Sequence, residues 1–318
     1  MDNKLTKRRL SDFLAYEWIL MIIVAVAAII VLELAYTMAA TRLSTGQQFK
    51  YYLDEDIYSF DASDKSIYDL LGVETGKNGK TFSYDVLSVE SENLTSSYNV
   101  LSVRLSVQEG DAIFTSSVEE EGKSVRVKQI VDENPVYYLE DLFARAENYL
   151  KTFTVNGDVY NADDYDEDKI RAHFDTRMKG DNRFRTEADK EEGRINEIGR
   201  IRKLADEVAA FKTLLSVGEE KGLFYKYTKF EQTYNANPDD ENYKTAYENE
   251  TEHIYGINMG ALTGGNKNVS EYLKITGTDS AQNVVLVLFD FGKYQEDLQF
   301  ESISFVNTLV REFSDFLG

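Results

Sequence analysis

The chain has no cysteine. Disulfides, thiolate metal centres and a cysteine nucleophile are therefore excluded together. Histidine is almost as scarce: only His173 and His253 occur, too few for an imidazole-rich metal site. Two prolines and 29% charged residues do not describe a wholly disordered chain. Positive charge is in short supply, with 35 Lys and Arg against 56 Asp and Glu and a net charge of −21. Phosphate contacts need clustered Lys and Arg, so nucleic acid is not an expected partner. Catalytic signatures are missing as well: there is no Gly-x-Ser-x-Gly elbow, no His-Glu-x-x-His and no Ser-x-x-Lys. Nothing selects one pair of carboxylates for glycoside hydrolysis, and no cofactor is expected. What remains is a chain of 318 residues, 42% hydrophobic, enough for one large or two modest domains with a real core.

One long apolar run is present. Trp18 to Leu32 carries no charge, Glu33 interrupts, and Leu34 to Ala40 resumes the apolar character. As a helix, residues 18–40 span about 34 Å, more than a hydrocarbon core of roughly 30 Å. Trp18 and Tyr36 stand near the ends, where amphipathic rings favour the interface, and Glu33 is close enough to the outer end to snorkel. Lys4, Lys7, Arg8 and Arg9 precede the run, against Arg42 and Lys50 after it. This bias predicts a single-pass cell-membrane anchor with residues 1–17 cytoplasmic and the bulk outside. A cleavable signal peptide ending around Thr37-Met38-Ala39 is the rival reading. An exported domain without cysteine fits a bacterial envelope, in particular a Gram-positive one.

Beyond the anchor, residues 45–160 read as an α/β half-domain, 161–250 as a charged helical insertion and 251–318 as a closing α/β segment. Strands are expected at Gln48–Ile57, Thr81–Val89, Asp111–Thr115 and Ser124–Val131, and a short helix at Asp64–Leu71 with Ser63 as its cap. Tyr98–Val107 fits strand or helix on periodicity alone. A helix is expected to follow Val136–Leu142, and a short hairpin around Asn156-Gly157. Ile195, Ile198, Ile201, Leu204, Val208, Phe211 and Leu215 repeat at helical spacing, which predicts a core-facing stripe. Asn235–Glu250 reads as an acidic loop. Ile254–Leu262 and Asn283–Phe289 read as strands, and Ser302–Leu317 as an amphipathic helix. Asp164, Asp166 and Asp168 alternate like calcium-loop ligands. Lys169 and Asp175 stand where that loop needs Gly and Glu, so a solvated acidic loop is the better reading.

With Tyr98–Val107 as a helix, the order is β-α-β-α-β, a doubly wound half with a mostly parallel sheet. The run from Ser97 to Phe114, a helix, then Gly110-Asp111, then a strand, resembles a step in bacterial extracellular solute-binding proteins. Tyr138–Leu142, the Tyr255-Gly256-Ile257 and Val284–Phe289 strands and the Phe305–Phe316 helix are similar to that family's later segments. The resemblance implies non-catalytic capture of a solute, in association with an ABC-type permease or another membrane protein.

Ligands of open α/β sheets bind beyond the carboxyl ends of strands. The topology predicts that Asp54, Glu55, Thr115 and Ser116 meet at one edge of the sheet, with Tyr52 and Tyr138 bordering the same crevice. Stacking rings among short polar and acidic groups suit a small neutral or cationic solute. An envelope assembly protein that docks a membrane partner through the helical segment is the alternative, and a wall-acting glycosidase a third.

Overall fold

A computed structural model describes residues 18–39, 48–59, 67–71, 88–94, 98–119, 124–181, 183–234, 246–291 and 300–317. Two compact units are distinguished, Met1–Arg42 and Leu43–Gly318. The first contains helix α1 (Trp18–Ala39), 22 residues and about 33 Å long, with apolar side chains such as Trp18, Ile23 and Ile30 exposed around it. Among the described residues, no helix is long and apolar enough to cross a membrane. Residues 1–17 lie outside the described residues.

The second unit is three-layered. Strands β1 (Gln48–Leu53), β2 (Ile57–Ser59), β3 (Ser88–Asn93) and β4 (Ala112–Ser116) alternate with helices α2 (Ile67–Leu70) and α3 (Tyr98–Ser106). Helix α4 (Arg126–Glu133), α5 (Leu139–Lys151), α6 (Glu167–Arg177) and α7 (Glu187–Val217) follow. Strands β5 (Phe224–Tyr234), β6 (Ala246–Asn258), β7 (Leu273–Ile275) and β8 (Val284–Leu288) and helix α8 (Glu301–Phe313) complete it. The main sheet runs β3-β1-β4-β8-β6-β5, and β2 pairs separately with β7.

Period two decides the layers. Phe49, Tyr51 and Leu53 of β1, Phe114 of β4, and Val284, Leu286 and Leu288 of β8 face the larger core, which α2, α5, α7 and α8 cover. Tyr52, Ile113, Val285 and Val287 face a smaller core under α3 and α4. Helices on both faces make the half from β1 to β4 doubly wound, and β1 pairs parallel with both β3 and β4, as expected. The other half differs. Strand β4 pairs antiparallel with β8, β8 with β6, and β6 with β5, so three of the five pairings are antiparallel and the sheet is mixed.

Tyr98–Val107 is a helix through Ser106. It ends with Gln108 and Gly110 at positive φ, and a Cβ on Gly110 would lie 2.2 Å from the Tyr52 ring. Asp111 then anchors β1 by accepting the Lys50 backbone N–H at 2.7 Å. The Gly-Asp step is thus a joint at the amino end of β4.

Ser124–Val131 is a helix, not a strand. Val127, Ile130 and Val131 lie at i, i+3 and i+4 and bury together, which a strand cannot do. The hairpin expected at Asn156-Gly157 is instead a loop folded around Asp164, whose carboxylate accepts the N–H groups of Asn156 and Asp158 at 3.0 Å. Burial opposes charge on Asp164, yet these N–H donors hold its carboxyl below the usual carboxylate range. Asp166 caps α6 through the N–H groups of Asp168 and Lys169. The alternating aspartates therefore serve as local backbone acceptors, and no group of potential metal ligands occurs among the described residues. The Thr81–Val89 strand is described only from Ser88, and Ser63 lies outside the described residues. Of the acidic loop expected at Asn235–Glu250, the last five residues belong to β6 and 235–245 lie outside the described residues.

Five of the seven stripe residues are buried as expected; Leu215 is half-buried, and Leu214 takes the core position at that end. Ile198, Ile201, Leu204, Val208, Phe211 and Leu214 enter the larger core, while Ile195 is exposed. Helix α7 shares one core with β1, α5 and α8. A buried ionic knot fastens it. Arg200 meets Glu197 at 2.9 Å, Glu301 at 3.2 Å and the Tyr149 hydroxyl at 2.7 Å, and Arg177 meets Glu197 at 2.7 Å.

Candidate functional site

In the order β3-β1-β4, the chain leaves β1 toward β3 and later crosses to β4 on the other side. The carboxyl ends of β1 and β4 therefore flank a topological switch point, where open α/β sheets form a crevice. Register Leu53↔Phe114 and the bond from Asp54 N–H to the Phe114 carbonyl, 3.0 Å, bring Asp54, Thr115 and Ser116 there. A turn closed by Ile57 N–H on the Asp54 carbonyl, 2.8 Å, lifts Glu55 and Asp56 into solvent before β2 begins.

Asp54 is buried and fully engaged. It accepts the Thr115 hydroxyl at 2.7 Å, Arg126 Nε at 2.8 Å, Arg126 Nη2 at 2.9 Å and the Glu55 N–H at 3.0 Å. Arg126 arrives from the first turn of α4 and makes a two-pronged ion pair that fixes the helix against the strand ends. The guanidinium charge is thereby spent on a carboxylate within the protein. Above it opens a cleft of about 270 Å³ lined by Glu55, Asp56, Ser116, Ser124, Arg126 and Gln129, with Val118 at one side. Ser116 Oγ accepts the Val118 N–H at 3.1 Å and keeps its own proton to donate. Among the described residues, neither Glu55 nor Asp56 has a cationic partner.

Four of the six expected residues, Asp54, Glu55, Thr115 and Ser116, thus come together at the switch point. The two aromatic ones do not. Tyr52 points to the opposite face from Tyr51, is fully buried, and donates its hydroxyl to the Glu109 carbonyl at 3.0 Å. Burial, with Glu109 and Glu92 nearby, pushes its phenol well above the usual tyrosine range. Tyr138 stacks on His253 of β6, centroids 4.3 Å apart, two strands beyond β4. Sequence reasoning missed Ser124, Arg126 and Gln129 because their segment read as a strand. The spacing of Val127, Ile130 and Val131 was the signal that could have found them.

Gly260–Lys267, glycine-rich like a phosphate loop but without its Gly-Lys-Ser/Thr, packs along the end of α8. Gly264 bridges to Ser314, and Lys267 pairs with Glu312 at 3.0 Å. Comparison with protein-family models, with curated proteins and with solved structures finds no match to this chain.

Proposed function

We propose that the chain is a membrane-anchored, extracytoplasmic binding module that captures a small cationic or neutral, hydroxyl-bearing solute without transforming it. The observation that carries this reading is the cleft at the switch point. Among the described residues its one cation is committed to Asp54, while the carboxylates of Glu55 and Asp56 and the Ser124 hydroxyl are exposed and Ser116 and Gln129 line the wall beside them. Open carboxylates attract an ammonium group, and Ser116, Ser124 and Gln129 can pair with hydroxyls. A net charge of −21 adds attraction for cations at a distance. The apolar run of residues 18–40, with the basic residues before it, supports anchoring with the second unit outside. The resemblance to solute-binding proteins supports delivery to an ABC-type permease. Envelope assembly through the α7 stripe is the weaker reading, since that stripe is buried in its own core.

Calorimetry on the full chain in nanodiscs, with spermidine, glucosamine, maltose and citrate as titrants, tests the proposal. Spermidine or glucosamine should saturate the protein, citrate should not, and Glu55→Gln with Asp56→Asn should weaken binding at least tenfold. Amine binding unchanged in that double variant, or no binding by spermidine, glucosamine or maltose, overturns it.

A further inference from the structure

We propose that the corner between α6 and α7 is a second ligand site, and that it takes an anionic group joined to an apolar or aromatic body. The corner holds a cavity of about 470 Å³, within the roughly 300–1,000 Å³ typical of small-molecule sites. Its floor is apolar: Phe174 and Phe184 meet edge to face with centroids 5.0 Å apart, and Met178 lies beside them. Gly193 makes room for these rings. A Cβ there would lie 2.3 Å from Phe174 Cζ and 2.7 Å from Phe184 Cε1. Glycine is otherwise a poor choice inside a long helix, so the floor depends on its absence of a side chain.

The rim supplies charge of one sign. Its two carboxylates are already neutralised, Asp175 by Arg194 at 2.8 and 2.9 Å and Asp181 by Arg183 at 2.6 Å. Lys179 and Arg185 are exposed, and among the described residues no carboxylate pairs with either. The surroundings reinforce them. Between Lys169 and Lys203 the sequence has 11 Lys and Arg against 7 Asp and Glu, a local excess of +4 in a chain of −21. Such a positive spot on an acidic protein concentrates anions at one place. An anion alone would engage the rim and leave the aromatic floor wet, and an apolar molecule alone would leave both cations unanswered. The complementary ligand carries both parts, as an aryl or alkyl phosphate or sulfonate does.

Phenyl phosphate is a suitable probe, titrated by calorimetry into the full chain in phosphatidylcholine nanodiscs, with inorganic phosphate and phenol as its separated halves. Saturable binding of phenyl phosphate at least tenfold tighter than either half is expected. Lys179→Glu with Arg185→Glu should weaken it at least tenfold with the melting temperature unchanged, because neither side chain pairs with a carboxylate among the described residues. Met178→Glu should weaken it from the apolar side. Spermidine binding at the Glu55 cleft should not respond to these variants. Absence of saturable binding, equal binding of phosphate and phenyl phosphate, or unchanged affinity in the double variant overturns the proposal. Phosphatidylglycerol nanodiscs separate the sources of the chemistry. Competition with phenyl phosphate supports the site with a lipid headgroup as its ligand, and equal affinity in both discs supports it with a free molecule.

Discussion

Arg200→Met isolates the buried ionic knot from its apolar setting. Methionine keeps most of the stem volume, so the packing of α7 against α5 and α8 is largely retained. The charge is lost where its partners cannot reach water: the Glu197 and Glu301 side chains are 1% and 4% exposed. Breaking a buried ion pair from one side typically destabilises by about 3–5 kcal/mol. Glu197 retains Arg177 at 2.7 Å, which places the expected loss toward the lower end of that range. At about 2 °C per kcal/mol for a domain of this size, the melting temperature falls by roughly 6–8 °C.

The pH dependence gives the sharper test. Burial raises the Glu197 carboxyl, but Arg200 and Arg177 outweigh it and hold the group below its ordinary range. A carboxyl depressed on folding stabilises the native state above its unfolded pKa, about 4.3, and that contribution fades as pH falls through the folded value. Without Arg200 the desolvation is less opposed and the folded pKa rises. Protonation then relieves the variant as pH falls, while the wild type loses its ionic stabilisation. Both effects narrow the gap between the two proteins from pH 7 toward pH 4. Thermal melts of the full chain followed by far-UV circular dichroism at three pH values measure it. Tryptophan fluorescence would not serve, because the single Trp18 belongs to the first unit. A deficit under about 1 kcal/mol at pH 7 refutes the argument, and so does a gap that fails to narrow in acid.

The α7 stripe makes its own contrast. Leu204→Ala should lose about 2–5 kcal/mol in urea titrations, whereas exposed Ile195→Ala should stay within about 0.5 kcal/mol. Equal effects would mean that the stripe is not seated as described. For the anchor, protease added to intact cells should remove the second unit and leave a short membrane-bound stub that contains Trp18. A mature protein beginning near Ala40 would refute that topology.

Chain order disclosed the part of the site that depends on strand ends. Once Tyr98–Val107 is helical, a β-α-β-α-β order carries Asp54 and Ser116 to the same edge whatever their side chains do. The aromatic residues depend on facts that order does not encode. Tyr52 sits one residue from Tyr51, so the pleat turns it to the other face. Tyr138 follows β6, whose place two strands away is fixed by pairing between distant segments. The antiparallel half was illegible for the same reason: nothing local in Val284–Leu288 reveals which way it will run beside β4. Arg126 was missed through a local error, because Val125 and Val127 alternate like a strand before Ile130 and Val131 restore the helical period. One misread segment thus hid the cation that decides which charges the cleft has left to offer.

The position of β8 has a consequence for synthesis. Strands β3, β1 and β4 are complete once Ser116 has been made, but β4 waits for Val284–Leu288 to cover its other edge. Roughly 170 residues separate those events, about 10–35 s at 5–20 residues per second. Throughout that interval the nascent chain carries a bare strand edge with Ala112, Ile113 and Phe114 uncovered, the kind of template that invites pairing with another chain. Every truncation that stops before Leu288 makes this interval permanent, so shortened forms of the protein should aggregate through β4, however intact the half already built.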